Sequence, residues 1–132
     1  MNLEALGTAW APRLLSVLRI MTGLLLLEHG TAKLFKFPVV AAFAKIDLSS
    51  KFGIAAYFEL IGGALLVIGL LSRPVAFIMS GMTAVAYFWV HIPNSFFPVA
   101  NGGDTVVLFC FALLYIAAAG PGPWSIDAAR KK

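Results

Sequence analysis

The sequence predicts an all-α integral membrane protein, an antiparallel bundle of four helices forming one domain over residues 1–132. Of the 132 residues, 61% are apolar and 12% are charged, whereas soluble domains carry about 25% charged residues. Four stretches approach the roughly 20 apolar residues that a helix needs to cross a bilayer. Because these stretches do not alternate apolar and polar residues, a spanning β-barrel is disfavoured.

The four predicted helices cover about residues 14–35, 52–71, 75–92 and 104–119. The third helix begins after Pro74 and ends near Ile92, because Pro93 disfavours helical geometry in the residue before it. The fourth is the shortest, with Asp104 as its expected N-cap and a Gly-Pro repeat at 120–123 after its end. Short connections such as 72–74 favour antiparallel neighbours, which puts both termini on one side of the membrane.

The distribution of basic residues predicts the orientation. A cytoplasmic N-terminus places five basic residues inside: Arg13, Arg73, Arg130, Lys131 and Lys132. It places at most four outside: Lys33, Lys36, Lys45 and Lys51. The positive-inside rule therefore favours both termini on the cytoplasmic side of the membrane. The first residues lack the positive region of a cleavable signal peptide, so none is expected. The first loop, 36–51, is either an ordinary loop or a short amphipathic helix at the interface.

Ionisable groups inside the predicted spans mark the candidate site. A charge at the bilayer centre costs at least about 2.5 kcal/mol, so such groups tend to face the bundle interior or a cavity. The alternating helix directions bring six of them to one half of the membrane: Glu28, His29, Lys33, Glu59, His91 and Asp104. On the third helix, Ser80, Thr83, Tyr87 and His91 form a stripe that can line a polar channel.

Simpler interpretations remain open for these residues. Lys33, Lys36 and Asp104 can be helix-end anchors or caps, and Glu28 and Glu59 can belong either to a ligand site or to an ion pair that locks the bundle, such as Glu28 with Lys33. The histidines lack metal-ligand spacing, so no metal site is expected. Arg19 lies near the inner end and is expected to snorkel to lipid phosphates or to meet the loop of Arg73.

Composition also limits partners and chemistry. The single cysteine, Cys110, excludes dithiol redox motifs and disulfide frameworks within one chain. The net charge of +4 is spread over loops and termini, which favours anionic lipid over nucleic acid as a partner. Gly62 and Gly63 allow a neighbouring helix to approach closely, and together with Gly69 and Gly81 they permit contacts within the bundle or between copies in a homo-oligomer.

Several blocks of residues resemble the DoxX family of small bacterial membrane proteins. The first helix carries Glu28-His29-Gly30 followed by Lys33-Leu34-Phe35, and the second carries Glu59-Leu60-Ile61-Gly62-Gly63. The stretch from Tyr87 through His91 to Pro93, the segment 101–104 and the segment 120–127 resemble the remainder, so the match covers about Pro12 to Asp127.

The resemblance implies a four-helix inner-membrane protein with a quinone or sulfur redox theme. Relatives are associated with thiosulfate:quinone oxidoreductase, with quinone detoxification and with a thiol-stress complex. We therefore expect a membrane component of a quinone-linked or thiol-stress oxidoreductase system, acting with a redox partner subunit. Its candidate quinone site comprises Glu28, His29, Lys33, Glu59, Tyr87, His91 and Asp104. Whether the chain is itself an enzyme stays open. The alternatives are a non-catalytic scaffold or partner-docking subunit and, third, a small transporter.

Overall fold

A computed structural model describes residues 2–131 and is all-α, with no strand among these residues, which confirms the predicted fold class. The helices are α1 (Leu3–Phe35), α2 (Lys51–Ile68), α3 (Ser72–Ala86), α4 (Pro98–Asn101), α5 (Asp104–Ala119) and α6 (Ile126–Arg130). A π turn, Tyr87–His91, extends α3, and the first loop contains one 3₁₀ turn, Ala41–Phe43. Lys132, counted in the charge balance, lies outside the described residues.

The first helix is longer than the apolar pattern indicates. It begins at Leu3, where the Asn2 side chain accepts hydrogen bonds from the amides of Glu4 and Ala5 at 3.0 and 3.3 Å. Its 33 residues correspond to about 50 Å, which exceeds the ~30 Å of a hydrocarbon core. An apolar run locates the part of a helix that suits lipid, whereas a polar cap determines where the helix starts.

The ends of α2 and α3 also follow local capping. Helix α2 stops at Ile68 because Gly69 adopts a left-handed conformation (φ 72°) and ends the helix. Helix α3 starts at Ser72, before Pro74, because the first turn of a helix tolerates proline. Its π turn ends at His91, just before the predicted end at Ile92.

Helices α1 and α2 pack antiparallel with their backbones in close contact. A Cβ added to Gly63 would lie 2.6 Å from the Leu27 amide nitrogen, and one added to Gly30 would lie 2.6 Å from the Leu60 amide nitrogen. The predicted close approach at Gly63 is therefore confirmed, and its partner is α1. Gly62 instead faces α3, where an added Cβ would lie 2.8 Å from Met79 Sδ.

The second antiparallel pair is α3 with α5. Ser80 Oγ donates to the Cys110 carbonyl at 2.7 Å, and Arg73 Nη1 donates to the Ala117 carbonyl at 3.2 Å and to that of Ala118. The core between the pairs is apolar and consists of Leu26, Leu66, Ala76, Met79, Phe109, Leu113 and Ile116. Large apolar side chains also cover the outside, as expected where lipid is the solvent.

Three of the described helical segments are long and apolar enough to cross a membrane: Leu3–Phe35, Lys51–Ile68 and Ser72–His91. Helix α5 is apolar but shorter. One end of the bundle holds Glu59 together with the last turn of α1, and we call it the Glu59 end. The opposite end, where α1 enters the bundle and the C-terminal segment packs, is the Arg19 end.

Arg19 organises its end of the bundle from a fully buried position. Its guanidinium donates to the carbonyls of Leu66 at 2.8 Å, Trp124 at 2.7 Å and Pro121. The expectation that Arg19 snorkels to lipid phosphates is therefore wrong, because the segment after α5 folds over it and supplies its acceptors. Ser16 Oγ accepts the Trp124 amide at 3.1 Å beside this contact.

Candidate functional site

A buried ion pair lies at the Glu59 end and joins α1 to α2. Lys33 Nζ donates to Glu59 Oε1 at 2.7 Å, and the two side chains are 10% and 9% exposed. Residues Gly30 and Gly63 bring the two backbones close on the same interface, so this lysine and this glutamate meet directly. The partner of Lys33 is Glu59, rather than Glu28 as the sequence had allowed.

The second carboxylate oxygen of Glu59 has unused acceptor capacity. Oε2 is buried, and no donor reaches it from anywhere in residues 2–131. A buried polar atom without a partner costs about 1–3 kcal/mol and calls for a physical explanation. A water or a ligand group that donates a hydrogen bond would satisfy this oxygen.

The first loop covers the ion pair. The ring of Phe43, in the 3₁₀ turn, has its centroid 5.3 Å from Lys33 Nζ. Lys36 Nζ holds this turn by donating to the Phe43 carbonyl at 2.6 Å and to the Lys33 carbonyl at 3.3 Å. Of the two predictions for 36–51, the structure therefore shows a loop with a single 3₁₀ turn, and that loop packs over α1.

His29 lies one turn before Lys33 and contacts the same loop. Its ring is 6.5 Å from that of Phe43 and 6.1 Å from that of Phe109 on α5. Nδ1 is 2.7 Å from the Leu25 carbonyl oxygen. Because a carbonyl oxygen only accepts hydrogen bonds, Nδ1 is the donor in this contact, and the tautomer with its proton on Nδ1 presents Nε2 as an acceptor.

Tyr87 and His91 form a separate polar cluster around Asn101. Asn101 Nδ2 donates to Tyr87 Oη at 3.1 Å and to the Ser95 carbonyl at 2.8 Å, while Tyr87 Oη donates to the Phe96 carbonyl at 2.8 Å. His91 Nδ1 donates to the Asn101 carbonyl at 3.0 Å and stacks on Tyr87. These bonds hold the connection between α3 and α5 in place.

The polar stripe on α3 packs against α5. Ser80 bonds a carbonyl of α5, and Thr83 Oγ1 donates to the Ser80 carbonyl at 2.8 Å. Both side chains are buried. The hydroxyls of the predicted channel lining are thus engaged with backbone carbonyls at a helix interface.

Glu28 and Asp104 are exposed. Glu28 is on α1, five residues before Lys33, and Asp104 occupies the first turn of α5, where a carboxylate stabilises the positive end of the helix dipole. The N-cap of α5 is Gly103 and not Asp104, so the predicted cap was wrong by one residue. The Gly103 amide donates to Asn101 Oδ1 at 2.8 Å. Among the predicted site residues, Lys33 forms an ion pair with Glu59, and the rings of Tyr87 and His91 stack.

Three contributing residues were not predicted from the sequence. Phe43 and Phe109 look like ordinary membrane apolar residues, and only the fold places them beside His29. Asn101 has a recognisable signal, because an asparagine just before two glycines and an N-terminal aspartate is typical of a helix boundary. The one-turn helix α4 that carries Asn101 begins at Pro98, which the sequence had indicated only as a break.

The sequence model of the DoxX family matches residues 14–92. The match takes in most of α1, all of α2 and α3, and the π turn. The chain belongs to the DoxX family. An uncharacterised protein of Haemophilus influenzae is 35% identical over 122 residues, which cover 89% of this chain and 91% of that protein. No solved structure matches the chain.

Membership in the DoxX family confirms the predicted resemblance and identifies a membrane protein. The matched region contains the Lys33–Glu59 pair, His29, Tyr87 and His91, whereas Asp104 lies beyond it. Both residues of the ion pair of this DoxX protein thus lie within the region that the family model matches.

Proposed function

We propose that this DoxX family protein is the membrane component of a quinone-linked redox system and that the Lys33–Glu59 pair binds the quinone head group. The observation that carries the proposal is Glu59 Oε2, a buried acceptor with no donor in the described part of the chain. A hydroquinone presents an O–H group that can satisfy such an acceptor. The geometry is less typical of a closed structural lock, in which both carboxylate oxygens would have partners.

The chemistry of the neighbouring groups fits a quinone. A lysine ammonium has three donor hydrogens, so Lys33 can bond a quinone oxygen while it still bonds Glu59. His29 Nε2 is an acceptor, and the rings of Phe43 and Phe109 offer faces for packing against a flat head group. The quinone supplies the two-electron redox chemistry when it is bound. Glu59 holds or releases a proton at Oε2, and Lys33 stabilises negative charge that develops on the ring oxygen.

The electrons require a second component. Dithiol chemistry within one chain needs two cysteines, and the sequence has only Cys110. A redox partner subunit therefore belongs to the proposal. For the orientation we propose cytoplasmic termini in the bacterial inner membrane, with α5 as the fourth span. Lys33 is buried in the ion pair with Glu59, which leaves three basic residues in the outer loop against the five on the side of the termini, Arg73 among them.

The test compares quinone binding by three forms of the protein purified from bacterial membranes: wild type, Glu59→Gln and Glu28→Gln. Glu59→Gln keeps an oxygen that can accept from Lys33 but replaces the unpaired acceptor Oε2 with an N–H donor. We expect bound quinone in the wild type and in the control Glu28→Gln, because Glu28 is exposed. Titration with short-chain ubiquinone and ubiquinol should show about a tenfold weaker affinity of Glu59→Gln for the reduced form. Equal affinity of all three proteins for ubiquinol would refute the site.

A second candidate function is a non-catalytic scaffold whose ion pair only joins α1 to α2. The direct 2.7 Å bond between Lys33 and Glu59 favours it. It predicts that Glu59→Gln lowers thermal stability while quinone content is the same, at trace level, in every form. The titration and a thermal unfolding curve on the same samples separate the two functions.

A further inference from the structure

An open cavity of about 400 Å³ lies at the Arg19 end, between the start of α3 and helix α6. Its volume falls within the range of small-ligand sites. The charged residues in its wall are Arg73, Asp127, Arg130 and Lys131. This cavity is at the opposite end of the bundle from the Lys33–Glu59 pair, so it is independent of the proposed quinone site.

The carboxylate in the wall is already engaged. Asp127 Oδ1 accepts the Leu71 amide at 2.9 Å and Oδ2 accepts the Ser72 amide at 2.8 Å. Burial acts to raise the pKa of Asp127, but the amide hydrogen bonds from Ser72 and Leu71 and the nearby Arg130 outweigh it and hold the pKa below its ordinary value. Asp127 thus offsets only one of the three positive charges around the cavity.

Arg73 is held in position at the edge of the cavity. Its Nη1 donates to carbonyls at the end of α5, including that of Ala117 at 3.2 Å. Gly120 leaves room for the guanidinium, since an added Cβ would lie 2.9 Å from Arg73 Nη2. A guanidinium has five N–H donors in a planar fork that matches phosphate oxygens. The bonds of Nη1 therefore fix the side chain without using all of its donors.

The residues around the cavity indicate that it lies at the level of lipid head groups, which can supply an anion to a site of net positive charge. Leu71, in the wall of the cavity, is 53% exposed, and Trp124, in the segment after α5, is 52% exposed. Apolar and tryptophan side chains of this kind lie at the level of lipid head groups. Basic pockets at the ends of membrane helices bind the head groups of anionic lipids.

We propose that this cavity binds a phosphate group through Arg73, Arg130 and Lys131. Two sources share this chemistry: the phosphodiester of an anionic phospholipid and free inorganic phosphate. Bound there, the phosphate would bridge the start of α3 and helix α6. It would thereby add to the bonds through which Asp127 already ties the C-terminal segment to the bundle.

The test uses the full chain in neutral detergent and measures thermal unfolding during titration with three probes: phosphatidylglycerol, phosphatidylcholine and inorganic phosphate. The variant is Arg130→Gln/Lys131→Gln, at two exposed positions. The matched control, Lys45→Gln/Lys51→Gln, removes the same charge from exposed positions near the Glu59 end.

We expect phosphatidylglycerol, but not phosphatidylcholine, to raise the unfolding temperature of the wild type and the control, with an apparent affinity at least about tenfold weaker in the variant. The same pattern with inorganic phosphate alone would support the site with free phosphate as its source. An equal loss in variant and control would show a general charge effect and overturn the proposal, as would a wild type that responds to neither anion. The unfolding temperature of each protein without probe shows whether it is folded.

Discussion

The contribution of the Lys33–Glu59 pair can be measured with a double-mutant cycle. The two side chains are 10% and 9% exposed and bonded at 2.7 Å, so removal of one partner leaves the other charge buried. Such a loss typically costs about 3–5 kcal/mol. We therefore expect Lys33→Met to lose about 3 kcal/mol of stability, equivalent to a fall of roughly 10 °C in unfolding temperature for a chain of this size.

The double variant Lys33→Met/Glu59→Met should recover most of this loss, because replacing both members of a buried pair by apolar residues of similar volume is often neutral or stabilising. The expected coupling energy is at least about 2 kcal/mol. Thermal and denaturant unfolding in one detergent provide the measurement. The control cycle, Lys45→Met with Glu28→Met, changes two exposed residues and should be additive. Single variants within about 0.5 kcal/mol of wild type, with effects that simply add, would refute the reasoning.

Two further predictions concern packing and pH. Gly63→Ala should destabilise the bundle by about 1–3 kcal/mol in an unfolding assay, because its Cβ would lie 2.6 Å from the Leu27 amide nitrogen. The control is Gly81→Ala, which should be neutral or stabilising in the same assay, because a Cβ added there meets nothing within 4 Å. Equal losses of stability in the two variants would contradict the close approach of α1 and α2. Asp127→Ala should cost about 1 kcal/mol near pH 7, because the start of α3 loses its carboxylate acceptor. The pKa of Asp127 is lowered in the folded state. Its contribution to stability is therefore fully present at a pH above the pKa of an unfolded aspartate, about 3.9, and is lost as the pH falls through the pKa of the folded state. A stability difference between wild type and Asp127→Ala that grows on acidification would contradict this pH dependence.

Hydropathy was sufficient to predict the four long helices, α1, α2, α3 and α5, because an apolar run of sufficient length has few alternatives in a membrane. It could not predict that α1 begins at Leu3, since residues 3–13 lie before the apolar run and depend on the Asn2 cap. The short helix α4 was missed for a similar reason. Pro98 marks a break in a hydropathy profile, yet proline is also favoured in the first turn of a helix.

The sequence identified the ionisable residues of the candidate site but not their partners. Relative depth places Glu28, Lys33 and Glu59 at a similar level, whereas the choice of partner depends on how α1 and α2 are rotated about their axes. That rotation follows from the close contacts at Gly30 and Gly63, which are long-range. Arg19 shows the same limit more strongly, because two of its acceptors, the carbonyls of Pro121 and Trp124, are about 100 residues away in an irregular segment.

The two ends of the bundle differ in how their buried charges are satisfied, and this difference favours the Glu59 end as the functional one. At the Arg19 end, one guanidinium meets three backbone carbonyls, which are neutral groups fixed by the chain itself. At the Glu59 end, a lysine meets one carboxylate oxygen, and the other is left without a donor in the described residues. Both arrangements join α1 to α2, so stability alone accounts for Arg19. It does not account for the unpaired oxygen, because a buried acceptor without a donor costs about 1–3 kcal/mol and adds nothing to the bond between Lys33 and Glu59.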